Sequence, residues 1–427
     1  MSLKDLHIAI LSNLRMTETK KIISKNFFWL LTQNAVKLVF GVSISLYLAR
    51  FLGPEDFGIY SFAISIISFL LLFTNLGIDP ILIRELVKSN IEENKLMGSS
   101  FNLKLLGSFA GFFLSLLIAF YFGFDTKTGA VILIISPVIL IKSLTVIDSY
   151  FQSIKKNKYP SIANIISIIL GSIFIYVFIK LKLNLRYFAL VFFIEALILI
   201  SCLLFFYQKK IKPKKWSYSK KIKLDILKES WPLIIAGVAS VVNTRIDQIF
   251  IGSMLSSNEL GNYSAAAKIS EFWLIFPTIL SVTLYPVLIN LRSTNYKRYK
   301  KFILTVIITC LSFGIIFSIN VSSFSENIIQ FLFGKKYNLA GNYLSLYIWS
   351  TLPYFSFFIL NSVTYLENLI KKNLIISIFS ILSNLILNYY LISLFGAIGA
   401  IYATFIVLSV SYLLLGFFIF NYTNLIR

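Results

Sequence analysis

Residues 185–207 read LRYFALVFFIEALILISCLLFFY, with Arg186 at one edge and a single acid, Glu195, near the middle. At about 1.5 Å of rise per residue the run covers the roughly 30 Å of a bilayer's hydrocarbon, so it predicts a membrane-spanning helix. The same reading extends along the chain. Comparable apolar runs lie at 27–48, 57–78, 105–124, 129–150, 160–179, 231–253, 262–290, 302–322, 343–365, 373–394 and 396–420, giving twelve spans in all. They are too long and too evenly apolar for the alternating ten-residue segments of a β-barrel. The first run follows a polar lead, exceeds the length of a signal-peptide core and has no small-residue cleavage site after it, which predicts a retained span.

Composition agrees. Of 427 residues, 57% are hydrophobic and 14% charged, against about 25% charged in soluble domains. This excludes a water-soluble enzyme, a disordered chain and a nucleic-acid-binding domain, and leaves an all-α polytopic membrane protein. The one histidine, His7, precedes the first run, and the two cysteines, Cys202 and Cys310, each lie inside one. Neither a disulfide framework nor a Cys/His metal site is expected, and no cofactor. The sequence carries no D-x-D pair, P-loop or G-x-S-x-G elbow, so the usual signatures of glycosyl transfer, nucleotide hydrolysis and serine hydrolysis are missing.

Forty Lys and Arg against eighteen Asp and Glu give a net charge of +22, which reads mainly as a topology signal. With the N-terminus inside, inner segments hold 29 cations, outer segments 7 and the spans 4. Both termini are therefore expected in the cytoplasm. Nine cations between Lys209 and Lys228 dominate the inner count, a basic linker suited to anionic headgroups. The outer cations are Arg50, Lys127, Lys180, Lys182, Arg186, Lys335 and Lys336; the group at 180–186 runs against the bias.

Six spans, a basic linker and six more spans suggest an internal repeat, and the residues support it. Ile154-Lys155-Lys156-Asn157 returns as Ile370-Lys371-Lys372-Asn373, an offset that also carries Pro137 onto Pro353. Gly58, Tyr60, Ser61 and Ala63 return as Gly261, Tyr263, Ser264 and Ala266. An insertion near 323–342 reconciles the two offsets. The expected organisation is a first bundle at 1–208, a linker at 209–228 and a second bundle at 229–427. Because six is even, the halves should be related by an axis along the membrane normal, with a substrate cavity between them.

Specific motifs add a resemblance. Residues 48–60 read LARFLGPEDFGIY, followed by SFAISI and by Asn75-Leu76-Gly77. The second half carries WPLIIAGVASVVNTRIDQIFIGSML from 231, SNELGNYS to 264, Phe333-Gly334-Lys335-Lys336-Tyr337 with Ala340, and LFGAIGAIYAT at 394–404. These resemble the polysaccharide-export flippases of the MOP superfamily, the Wzx-like O-antigen and repeat-unit transporters. Lipid II flippases and MATE drug exporters are relatives, and twelve spans disfavour the fourteen-helix lipid II type. The resemblance implies a MATE-like fold in the bacterial inner membrane and alternating access. It also implies an undecaprenyl-pyrophosphate-linked oligosaccharide as substrate. A lateral portal would lie between the first and eighth spans, where Pro277 and Pro286 interrupt the helix pattern. Implied partners are the lipid-linked oligosaccharide, membrane lipids, and a polysaccharide polymerase and chain-length regulator; nucleic acid is not among them.

A charge in hydrocarbon costs at least about 2.5–3.5 kcal/mol, so each intramembrane charge needs a partner, a cavity or a route to the surface. Lys37, Lys142, Arg245 and Lys268 are the candidates for lining a cavity that receives an anionic headgroup. Glu195, Asp247 and Glu271 are candidates for coupling or counter-ion roles, and Asp148 is the fourth acid. Lys268 and Glu271, three apart, are placed to pair locally, whereas Arg245 and Asp247, two apart, point to different helix faces. Arg50 and Asp56 flank a turn shaped by Gly53 and Pro54. Three rivals remain open, one of them a non-transporting scaffold of the same pathway. A MATE-type exporter of cations would have a cleft dominated by acids. A membrane polymerase or ligase would present a large outer loop bearing acid, base or arginine groups.

Overall fold

A computed structural model of the chain describes residues 25–26, 28–88, 91–211, 215–367 and 369–423. His7 lies outside the described residues, as do Lys212 and Lys214 of the basic linker. The described residues are almost entirely helical. A π-helical segment, Lys37–Val42, leads into α1 (Ser43–Asn75), α2 (Ile78–Lys88) and α3 (Glu93–Phe122). Next come α4 (Lys127–Ile135), α5 (Pro137–Ile141), a 3-10 segment Lys142–Thr145 and α6 (Val146–Ser153). The first half closes with α7 (Lys158–Lys180) and α8 (Leu185–Ile211). The second half runs α9 (Lys220–Met254), α10 (Ser257–Phe272), α11 (Ile275–Thr294), α12 (Tyr296–Ser323) and α13 (Ser325–Phe333). It ends with α14 (Ala340–Ser350), α15 (Leu352–Leu366), α16 (Ile370–Phe395) and α17 (Ala397–Thr423).

Among the described residues, eleven helical runs are long and apolar enough to cross a bilayer. One of them, Phe28–Lys88, has 61 residues, which at about 1.5 Å each is near 90 Å and about three times the hydrocarbon thickness. It breaks at Gly53, whose φ of 73° and ψ of 173° suit glycine alone, and Pro54 follows. The break divides the run into two segments that accommodate the first two expected spans, so twelve spans fit. Phe113, Phe120, Ile316 and Leu413 stand exposed on these helices, as lipid-facing residues do.

Prolines set the interior breaks. A turn at Ser136 is followed by Pro137 at the start of α5, and a turn at Thr351 by Pro353 in the first turn of α15. The two residues matched by the repeat thus restart a helix in the same way. The expected span 262–290 is also interrupted: α10 stops at Phe272, and Pro277 sits in the first turn of α11. Pro277 has no N–H to return to the preceding turn, whereas Pro286 is absorbed inside α11.

The linker is not a free loop. α8 runs to Ile211 and α9 begins at Lys220, inside the expected 209–228 segment. Residues 215–219 form a strap held by Ser217 N–H to the Asn94 carbonyl at 3.2 Å, by Ser219 N–H to Ser99 Oγ at 3.1 Å, and by Trp216 Nε1 to Tyr207 Oη at 3.1 Å. Ile226 joins the core of Ile78, Leu82, Leu96, Met97, Phe151 and Leu203, with Trp216 and Ile222 packed against it.

Contacts divide the chain into two compact units. Unit 1 holds residues up to Ser45, Leu70–Tyr121 and Leu133–Trp231; unit 2 holds Leu46–Phe69, Phe122–Ile132 and Pro232 onward. Unit 2 has its own core of Leu288, Tyr299, Ile303, Leu360, Val363 and Leu415. The division thus runs through α1, with Leu46–Phe69 and Phe122–Ile132 grouped with the residues from Pro232 onward. Leu46–Phe69 joins unit 2 because its backbone packs directly on α10.

Candidate functional site

That packing rests on two glycines. A Cβ on Gly58 would lie 1.9 Å from the Ser257 carbonyl oxygen, and a Cβ on Gly261 1.8 Å from the Pro54 carbonyl oxygen. Only glycine permits α1 and α10 to approach so closely. The two residues are the matched pair of the repeat, so the duplicated motifs pack on each other. Their following residues, Tyr60, Ser61 and Ser264, then line one pocket of about 120 Å³. Phe57, Arg245, Gln248, Lys268 and Glu271 contribute to the same lining.

The pocket mixes aromatic and polar side chains, and its two cations outnumber its one acid. Arg245 Nη1 lies 3.5 Å from Glu271 Oε1, with about a third of each side chain exposed. Glu271, three residues from Lys268 on α10, thus also reaches Arg245 on α9. Lys268 Nζ stands 5.6 Å from the Phe57 ring centre, a cation–π contact. Gln248 Oε1 accepts from Ser65 Oγ at 2.7 Å. Among the described residues, buried Ser264 Oγ has no hydrogen-bond partner.

Asp247 belongs to a different face of α9. It is 3% exposed, and it accepts hydrogen bonds from Tyr263 Oη and from Gln248 N–H. The carboxylate therefore ties α9 to α10 and is not part of the pocket lining. Asn243, one turn earlier, accepts at Oδ1 from Ser380 Oγ at 2.9 Å and from Asn384 Nδ2 at 3.0 Å. It borders a smaller neutral pocket with Tyr354, Asn373, Ser377 and Ser411.

The remaining candidates lie in unit 1. Lys37 is the first residue of the π segment and is exposed; Lys142 is the first residue of the 3-10 segment and is half-buried. Glu195, on α8, packs toward Gly171, where a Cβ would lie 3.3 Å from its Oε2. Its charged neighbours are Lys142 and Lys37. The structure thus brings Lys37, Lys142 and Glu195 of unit 1 into one electrostatic group, and Arg245, Lys268 and Glu271 of unit 2 into another. Among the described residues no cluster of His, Cys, Asp and Glu is arranged to hold a metal.

The profile of the family described as "Polysaccharide biosynthesis protein" matches residues 23–292, well over half of the chain. The chain belongs to this family. A second profile, MatE, matches residues 232–390 of this polysaccharide biosynthesis family member. It is 24% identical over 337 residues to a Shigella flexneri protein named "Putative O-antigen transporter", covering 74% of the chain and 78% of that protein. Its fold is similar to the inward closed conformation of the lipid II flippase MurJ, with a TM-score of 0.72 and 20% identity over 92% of this chain and 86% of that one. It is also similar to an inward-facing multidrug resistance MATE transporter of the MOP superfamily, with a TM-score of 0.63 and 14% identity over 91% and 96%. These likenesses establish the all-α membrane fold of the family member.

Sequence reading missed an ion pair built on a buried lysine of this polysaccharide biosynthesis protein. Lys104 is fully buried in α3, with Nζ 2.6 Å from Asp79 Oδ1 and 3.0 Å from Thr145 Oγ1. Ser149 also donates to Asp79, at 2.6 Å. The expected span began at 105, whereas α3 begins at Glu93. Extending the helix back toward that acidic first turn would have placed Lys104 inside.

Proposed function

We propose that the protein is a flippase that moves undecaprenyl-pyrophosphate-linked oligosaccharide repeat units across the bacterial inner membrane. The carrying observation is the charge of the unit 2 pocket, where Arg245 and Lys268 face a single acid, Glu271. Intramembrane charges counted along the sequence are evenly split and decide nothing; the assembled pocket favours an anion. The similarity to a protein named as an O-antigen transporter supports the same class of cargo.

The roles follow from the side chains. Arg245 offers a planar fork that matches phosphate oxygens, and Lys268 adds a point charge. Glu271 is the counter-ion that keeps Arg245 paired when no phosphate is present. Lys37 and Lys142 form a further cationic element in unit 1, with Glu195 as a charged neighbour. The lipid tail stays in the bilayer, so only sugar and pyrophosphate need a polar route. Movement is by alternating access, without covalent chemistry or cofactor. Both termini are cytoplasmic, and the basic segment 209–228 meets anionic headgroups of the inner leaflet. A polysaccharide polymerase and a chain-length regulator are the expected downstream partners.

The experiment is reconstitution. Purified protein in vesicles should move labelled lipid-linked oligosaccharide to the opposite leaflet. Movement no faster than in empty vesicles would reject the proposal. Exchange of cationic drugs instead would favour the MATE reading, and lengthening of the glycan would favour a polymerase.

A further inference from the structure

Arg50 and Lys336 are laid across one another's loops. Gly53, at the break in α1, has φ 73° and ψ 173°; Gly334, just after α13, has φ 90° and ψ 173°. Both are conformations that glycine alone adopts without strain. Each bare Cα also carries the other loop's cation. A Cβ on Gly334 would lie 3.5 Å from Arg50 Nε, and a Cβ on Gly53 would lie 3.7 Å from Lys336 Cδ.

Buried contacts fix this register. Tyr337 Oη donates to the Ala49 carbonyl at 2.6 Å, and its ring packs against Phe57 and Phe333. Burial pushes the Tyr337 phenol up from its ordinary range, so it remains a donor. The loop bearing Lys335 and Lys336 is therefore held rigidly against the turn bearing Arg50.

The acids of this corner are committed elsewhere. Asp56 accepts from Lys127 at 2.7 Å, and Glu55 stands 4.0 Å from the same ammonium. Among the described residues, no carboxylate lies within the 4.0 Å ion-pair distance of Arg50, Lys335 or Lys336. Arg50 and Lys336, two of the seven cations that the topology assigns outside, thus meet in one notch, with Lys335 next to Lys336 in sequence, against the bias that keeps Lys and Arg inside. Exposed like charges are screened by water and salt, so the fold can carry them.

We infer that this notch binds a phosphate-bearing headgroup at the outer end of unit 2. The guanidinium of Arg50 matches two phosphate oxygens, and the lysines supply point charges. The inference rests on the transport reading for its side of the membrane and for its natural ligand, the pyrophosphate of a glycolipid that has just crossed. An anionic phospholipid of the outer leaflet presents the same phosphate chemistry.

A local readout tests it. Full-length protein carrying Lys335→Cys is placed in phosphatidylcholine nanodiscs and treated with a charged thiol reagent, with and without inorganic pyrophosphate; the parent protein corrects for Cys202 and Cys310. Pyrophosphate should slow modification about tenfold when present at ten times its Kd. Arg50→Gln and Lys336→Gln should each remove the protection, and Arg50→Lys should retain part of it, with thermal unfolding unchanged. No protection up to about 10 mM, where even a millimolar site would be filled, overturns the inference, as does full protection in the double Gln variant. Repeating the measurement in phosphatidylglycerol nanodiscs assigns the source. Protection without pyrophosphate means that bilayer phosphate fills the notch; its absence leaves the glycolipid pyrophosphate. Loss of glycolipid movement with protection intact would reject the transport reading and leave this site standing. Movement without protection would do the reverse.

Discussion

Gly58 and Gly261, 203 positions apart in sequence, cross with each Cα against the other segment's backbone. Neither position has room for a methyl group. We predict that Gly58→Ala or Gly261→Ala destabilises the protein by about 1–3 kcal/mol, the usual cost of overpacking where only backbone is available to move. A fall in thermal midpoint in detergent would show it. Gly416→Ala, whose Cβ would meet only ordinary contacts at 3.5 Å, should leave the midpoint unchanged.

Arg245 and Lys268 should each matter to transport beyond their effect on folding. A hydrogen bond to a charged group contributes about 1.5–3 kcal/mol, so Arg245→Gln or Lys268→Gln should slow glycolipid movement about 10- to 100-fold. Arg245→Lys should recover only part, because it keeps the charge and loses the fork. The check is initial rate per inserted protein in vesicles.

Asp247 is predicted to act on structure and not on cargo. Tyr263→Phe leaves its buried carboxylate short of a donor, which costs about 1–3 kcal/mol. Thermal stability should fall, while the transport rate per folded molecule stays near that of the parent. A large rate loss at unchanged stability would place Asp247 in the transport cycle instead.

Lys104 and Asp79 should behave as a coupled pair. Asp79→Leu strands a fully buried ammonium, with an expected loss of about 3–5 kcal/mol, whereas Lys104→Met leaves a carboxylate that is 37% exposed and keeps its Ser149 donor, so its loss should be smaller. The double variant should recover most of the stability. Denaturant or thermal unfolding of the three variants forms the cycle that measures it.

The fold was legible where the bilayer dictates it. Apolar run length located the spans, and the recurrence of Pro137 as Pro353 marked helix restarts in both halves. What escaped depends on contacts between helices. Spacing along one helix linked Lys268 to Glu271, but it gave no sign that Glu271 meets Arg245 of α9. The basic count at 209–228 read as a loop because lysines mask the Ile222 and Ile226 face that packs on unit 1. Lys104 was set outside the membrane by twelve residues of helix that carry too few apolar side chains to signal a span. The grouping of Leu46–Phe69 with unit 2 followed from two missing methyl groups, visible only once the segments are packed.

The central claim is that cations of the unit 2 pocket carry a phosphorylated glycolipid. The most direct measurement compares parent protein with the Arg245→Gln/Lys268→Gln double variant, both reconstituted at equal density, in moving labelled lipid-linked oligosaccharide between leaflets. The account predicts movement by the parent and none above empty vesicles by the variant. Movement by the double variant at the parent rate would contradict it.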